Sequence, residues 1–202
     1  MPLTRSTAIA AGVLASLLGG RAPLLSQERT LVAHDFEGST HGWLVSGDTG
    51  AVAPQVHASD GHPGGYISYA DEALGETWYF RAPDSVLSAL SAAEHGTLTY
   101  SLKQSADVVG IFEDDVVIVG PAGRLSYRFP ESPGTSWTPF SVNLAAGGGW
   151  RWNWNKPASE EQIHSVLANP TSLEIRGEYH TGPDEGGLDT VVLTGGGMSR
   201  RP

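Results

Sequence analysis

Leu173-Glu-Ile-Arg-Gly-Glu-Tyr-His-Thr-Gly-Pro-Asp-Glu-Gly-Gly-Leu-Asp-Thr-Val-Val-Leu193 is the stretch whose reading decides the fold. Leu173, Ile175 and Tyr179 fall on one face of an extended segment, and Glu174, Arg176 and Glu178 on the other, the period-2 alternation of a half-buried strand. The Gly/Pro/Asp-rich link Thr181–Gly187 predicts a turn, and the β-branched run Leu188–Leu193 predicts a second strand. Asp189 sits inside that closing strand. A carboxylate there is costly unless it is hydrogen-bonded, paired or bound to a metal.

Outward from this hairpin the same signals recur. Strands are predicted at Leu31–Glu37, Trp43–Val45, Ala51–Val56, Tyr66–Tyr69, Thr77–Arg81 and Leu98–Leu102. Further ones fall at Val108–Phe112, Val116–Val119, Leu125–Phe129 and Phe140–Leu144. One helix is predicted over Ser159–Ala168: Ser159 and Gln162 form a capping box, Glu160 and Glu161 suit the positive end of its dipole, and Asn169-Pro170 stops it. Pro83–Ala93 has room for one or two helical turns. About ten short strands with a single firm helix predict an all-β chain, an antiparallel β-sandwich of jelly-roll type.

Bulk properties agree. The 202 residues include 26 Gly and 13 Pro, and only 17% are charged, as turn-rich β domains require. The net charge is −10 and no basic stripe exists, which argues against nucleic acid as partner. Arg5 followed by the uncharged run Thr7–Leu18 has the form of a secretory signal, too short to span a bilayer. Cleavage is expected near Ala22 or after Ser26; removal of residues 1–26 takes away Arg5 and Arg21 and no acid, moving the net charge to −12. The expected organisation is a signal at 1–26, one domain at 27–195 and a disordered tail at 196–202, exported to the periplasm or beyond. The absence of cysteine means no disulfide supports the domain.

Taken together, these pieces make the chain resemble a laminin IV type A (laminin B) domain. The resemblance rests on Asp35-Phe36-Glu37-Gly38 with Gly42-Trp43, Gly64-Gly65-Tyr66, Trp78-Tyr79-Phe80-Arg81-Ala82-Pro83 and Gly96-x-Leu98-x-Tyr100-x-Leu102. It continues through Asp107-Val108-Val109, Trp137 before Phe140-Ser141-Val142, and Val166-Leu167-Ala168-Asn169. Its most specific part is Leu173-x-Ile175-Arg176-Gly177-Glu178-Tyr179 with Gly187-Leu188-Asp189-x-Val191-x-Leu193. The set occurs in the family's order over residues 31–193. The resemblance implies a galactose-binding-like jelly roll without catalysis, structural or adhesive outside the cell; the expected partner is an extracellular protein or glycan, whose identity the resemblance does not supply. In laminins such a domain sits among cysteine-rich EGF-like modules. This chain has none of their cysteines, and Asn169-Pro170-Thr171 fails as a glycosylation acceptor because of its proline, so a free-standing exported version of bacterial type is expected.

Two sites are expected. Jelly rolls of this kind often pair an acid of the first strand with one of the last around a structural Ca²⁺. Here Asp35 and Glu37 stand two apart on the predicted first strand, Asp189 lies on the last, and Asp60 in the Asp60–Gly65 loop could add an oxygen. Asp35 and Asp189 bonded to backbone N–H groups explain the same residues without a metal. The second site is Trp150-Arg151-Trp152-Asn153-Trp154, whose indoles share one face if the segment is extended, making either a sugar platform or a lid on the core.

Enzymatic signals fail on chemistry. Asp48-Thr49-Gly50 matches one arm of an aspartic-protease dyad, but there is no second copy to share a proton. No two of the seven histidines have the His-x-x-x-His spacing of a helical metal site, and no Gly-x-Ser-x-Gly elbow occurs.

Overall fold

In a computed structural model of the chain, residues 28–47, 50–71, 75–107, 112–154 and 156–196 are described. The expected signal at 1–26, Asp48-Thr49, most of the Val108–Phe112 strand, and the tail beyond Gly196 lie outside the described residues.

Two antiparallel sheets form a jelly-roll sandwich. One has six strands: β1 (Arg29–His34), β3 (Gln55–His57), β4 (Tyr66–Asp71), β6 (Thr97–Gln104), β9 (Thr138–Asn143) and β13 (Asp184–Gly195). The other has seven: β2 (Leu44–Ser46), β5 (Tyr79–Arg81), β7 (Val116–Gly120), β8 (Gly123–Tyr127), β10 (Arg151–Trp152), β11 (Lys156–Pro157) and β12 (Ser172–Arg176). The 12-residue β13 organises the first sheet. β6 runs along one of its edges, while β4 and β1 share the other end to end, pairing with Asp184–Leu188 and Val191–Gly195 respectively. In the second sheet the order is β11-β10-β8-β7-β12-β5-β2.

The alternation read from sequence places the core. Phe80, Val116, Ile118, Leu125, Leu173 and Ile175 point inward from the second sheet and meet Ile67, Leu98, Leu102, Leu188, Val191 and Leu193 of the first. Helix α2 (Glu160–Ala168) closes one end against β7 and β8, with Ile163, Val166 and Leu167 buried. Both bonds of its capping box are present, Gln162 N–H to Ser159 Oγ at 3.3 Å and Ser159 N–H to Gln162 Oε1 at 2.9 Å. A second helix, α1 (Asp84–Leu90), occupies the Pro83–Ala93 stretch, so the described residues hold two helices where one was expected.

The opening hairpin differs from its sequence reading in two ways. Its turn is shorter, because Asp184–Gly187 already pair with Ser68–Asp71 as strand. The polar face of Leu173–Tyr179 is also not solvated: Arg176 is 3% and Glu178 7% exposed. Arg176 Nη2 pairs with Asp115 at 2.8 Å, Tyr179 donates to the same carboxylate at 2.8 Å, and Glu178 accepts the Trp78 N–H at 3.1 Å. Gly177 between them lies flat against the Trp78 indole, where any Cβ would overlap the ring. Burial pushes the Asp115 carboxyl and the Tyr179 hydroxyl upward, with Arg176 opposing in both cases.

Candidate functional site

The predicted calcium ligands divide into two pairs. β1 ends at His34, and Phe36 takes a left-handed φ of 55°. That turn destroys the shared face expected of Asp35 and Glu37. Asp35, its side chain 72% exposed, accepts the Glu37 N–H at 3.3 Å and lies 3.7 Å from His41. Glu37 turns instead onto the Asp60–Gly65 loop and accepts the Gly65 N–H at 3.1 Å. Asp60 contributes through its backbone, not its carboxylate: its carbonyl accepts from Trp137 Nε1 at 2.8 Å, while its side chain bonds Ser59.

Asp189 meets the same loop from the other side. It is fully buried, at a bulge in β13 where Thr190 has φ of 53°. One carboxylate oxygen accepts the Thr190 N–H at 2.6 Å and the other the His62 N–H; Thr190 Oγ1 donates back to the His62 carbonyl at 2.6 Å. A fourth bond, His62 Nδ1 to Ser101 Oγ at 3.1 Å, ties the loop to β6. Burial raises the Asp189 carboxyl, opposed by the two backbone donors. Beside Gly61 the Asp189 carboxylate and the carbonyl oxygens of Gly64 and Gly65 crowd one small volume, all within 2.8 Å of where a Cβ would stand. This is an all-oxygen donor set of the kind a hard cation takes. Glu37 and Asp189 thus both reach the Asp60–Gly65 loop, while the Asp35 and Asp60 side chains are directed elsewhere.

The three indoles do not share a face. Trp150 is buried, donates to the Asn143 carbonyl at 2.8 Å and packs edge-on against Tyr127. Trp152 is half-buried against Gly123, whose Cβ would clash with its ring. Asn153 and Trp154 both adopt positive φ, 41° and 84°, which swings Trp154 away and leaves it 62% exposed. The strand alternation that would have aligned all three ends at Trp152.

Trp154 instead helps wall a cleft of about 560 Å³ with Tyr79, Glu113, Val117, Val119, Arg124 and Glu174. Cross-strand pairs Glu174↔Val117, Val119↔Arg124 and Arg176↔Tyr79 put these groups on the outer face of the seven-stranded sheet. Of these walls only Trp154 was among the residues expected to bind a ligand. Glu174 was on the outward face of its segment, but nothing local said which strands flank it.

One further side-chain cluster is present among the described residues. Glu94, His95 and Glu160 bring ligand atoms within 4.8 Å of one another. Each is already engaged, His95 with Glu160 at 3.1 Å and Glu94 with His164 at 2.8 Å, on an exposed surface. Hydrogen bonding to Glu94 raises the His164 ring above its ordinary value.

These features define a closed β-sandwich whose buried polar groups fasten loops to strands. The laminin B (domain IV) family model matches residues 79–201, and the chain belongs to that family. The L4b domain of human laminin alpha-2 superposes with a TM-score of 0.62 at 12% identity, covering 81% of this chain and 96% of that one. The family 11 carbohydrate-binding module of a cellulosomal cellulase of Clostridium thermocellum aligns at 0.48 and 15% identity, covering 87% and 98%. No curated protein matches the sequence.

Proposed function

We propose that the chain is an exported, non-catalytic module that serves a structural or adhesive role outside the cytoplasm. One observation carries this reading: the deeply buried ionisable groups hold the fold together. Arg176, Asp115 and Tyr179 fasten β7 to the end of β12, Glu178 and Asp184 hold the Trp78 backbone and indole, and Asp189 clasps a loop. Membership of the laminin B family, whose modules are extracellular and without known catalysis, points the same way, and no helix among the described residues is long and apolar enough to cross a membrane.

Calcium belongs to this reading as a stabiliser. Glu37, Asp189 and the carbonyls of Gly64 and Gly65 would hold it, and it would supply rigidity to the loop rather than chemistry.

The test is expression of the full chain in a secretion-competent bacterium, with fractionation and intact-mass measurement. A product shortened near Ala22 or Ser26 and recovered outside the cytoplasm is expected. An uncleaved chain retained in the cytoplasm refutes the export half of the proposal, and hydrolysis of a peptide, ester or glycoside substrate by the purified chain refutes the non-catalytic half.

A further inference from the structure

We propose that the outer face of the seven-stranded sheet is a binding cleft for a neutral oligosaccharide, built by Trp154, Tyr79, Glu174 and Arg124. At about 560 Å³ the cleft lies within the range of roughly 300–1,000 Å³ typical of small-molecule sites.

Its walls are fixed in place before any ligand arrives. Trp154 is positioned by its neighbour: Asn153 N–H donates to the Arg124 carbonyl at 2.9 Å, and Arg124 N–H donates to Asn153 Oδ1 at 3.0 Å. The Arg124 guanidinium lies over the indole at 3.9 Å and is itself held by Asp114 at 2.9 Å. Stacking of this kind fixes the ring's plane without enclosing it, and the indole stays largely exposed. Such a surface offers an apolar platform to the C–H face of a sugar ring.

Opposite it stand two polar groups with unused capacity. The Glu174 carboxylate is half-buried and receives no hydrogen bond from any described residue; the Tyr79 hydroxyl, also half-buried, likewise makes none among them. Burial holds the Tyr79 proton on and raises the Glu174 carboxyl. A half-buried polar group without a partner is unfavourable, and ligand hydroxyls would complete both, one donating to Glu174 and one accepting from Tyr79. Val117 and Val119 supply an apolar floor beneath them.

Charge selects the ligand class. Glu76, Glu113 and Glu174 outnumber Arg124 among the lining residues; Asp114 pairs with Arg124, and Arg81 faces Glu174 across the strand pair. Phosphorylated, sulfated or uronic ligands meet repulsion. The Arg124 guanidinium covers one indole face, so a ligand stacks on the other. Hydroxyls that complete Glu174 and Tyr79 while a C–H face stacks on the open indole describe an uncharged polyhydroxylated chain. The inference adds a partner class to the proposed role and holds whether or not the chain is adhesive.

The experiment is affinity electrophoresis of the full chain in gels containing xylan, mixed-linkage β-glucan, xyloglucan, galactomannan or glycogen, with polylysine and heparin in parallel. Retardation by at least one neutral polysaccharide is expected. Trp154→Ala and Glu174→Gln should each weaken it by about tenfold, as loss of a stacked aromatic or a charged acceptor implies, while His164→Ala leaves it unchanged. Thermal melts of the variants confirm folding. Absence of retardation by every neutral polysaccharide overturns the proposal. So does retardation by polylysine or heparin alone, or binding indifferent to both cleft variants.

Discussion

Replacing Gly177 with alanine tests the seam between the second sheet and the buried Trp78. An alanine Cβ at that position would lie 1.8 Å from Trp78 Cζ3 and 2.2 Å from Cη2, far inside van der Waals contact. The indole has nowhere to go: it is 2% exposed, and Tyr69 and Phe80 pack edge-on against it with centroids 5.1 Å away. A Cβ at Gly186 would likewise be only 2.8 Å from the ring's Cη2 and 2.5 Å from the Gly177 carbonyl, so the ring is already tightly covered there. The ring must shift by more than an ångström, and its 3.2 Å bond to Asp184 goes with it. Overpacking of this kind costs about 1–3 kcal/mol, and a lost buried hydrogen bond adds about 1. A total near ~3 kcal/mol lowers the melting temperature of a chain this size by about 6–12 °C. Urea unfolding and calorimetry read both quantities. Gly182→Ala is the control: its φ of 94° strains the backbone by roughly 1–2 kcal/mol, but nothing lies within 4 Å of its Cβ. Adding Trp78→Phe to Gly177→Ala should recover at least ~1 kcal/mol relative to the sum of the single changes. A Gly177→Ala loss below ~1 kcal/mol, or strict additivity with Trp78→Phe, refutes the packing argument.

Trp150→Ala should destabilise by about 3–5 kcal/mol and Trp154→Ala by less than ~0.5, because only the first empties core volume; equal losses in urea melts contradict the placement of the two rings. Asp184 carries a carboxyl pushed up to about 6, chiefly by burial and further by Asp71 across the strand pair. A raised acid favours the folded state below its unfolded value and loses that contribution as pH climbs to the folded one. Asp184→Asn, which keeps the acceptor for Trp78, should therefore flatten the fall in stability between about pH 4 and 6 and be more stable than the parent at pH 7; an unchanged pH profile excludes the effect. Calcium at 100 times its dissociation constant should add about 2.7 kcal/mol, several degrees in the melt. The gain should vanish with EDTA, in Asp189→Asn and in Glu37→Gln, and survive in Asp35→Asn. A midpoint indifferent to calcium removes the metal from the loop.

Much of the architecture was legible because period-2 patterning and caps are local. Leu98-Tyr100-Leu102 and Leu173-Ile175 announced their strands and their inward faces, and Ser159/Gln162 announced the helix. Two of the failures came from backbone turns that side-chain type does not encode. A left-handed Phe36 separated Asp35 from Glu37, and left-handed Asn153 and Trp154 separated the third indole from the first two. Arg176 and Glu178 read as surface because charge ordinarily means solvent, whereas Asp115 and Trp78, distant in sequence, supply their partners. The Glu174 cleft was invisible for a related reason, since it is assembled from strand neighbours chosen by the sheet order.

The strand that completes the six-stranded sheet is the last in chain order, and it sits between β6 on one edge and β4 and β1 on the other. Until β13 is available, β1 has no partner and β4 and β6 have no common neighbour. Among the described strands the first closes on the last, Arg29 against Gly195, so this sheet stays open until β13 has been made. Folding governed by such distant pairing is slow compared with local helix formation. Under the export proposed above, that delay would be an advantage: the order of the strands itself would keep the chain fit for passage.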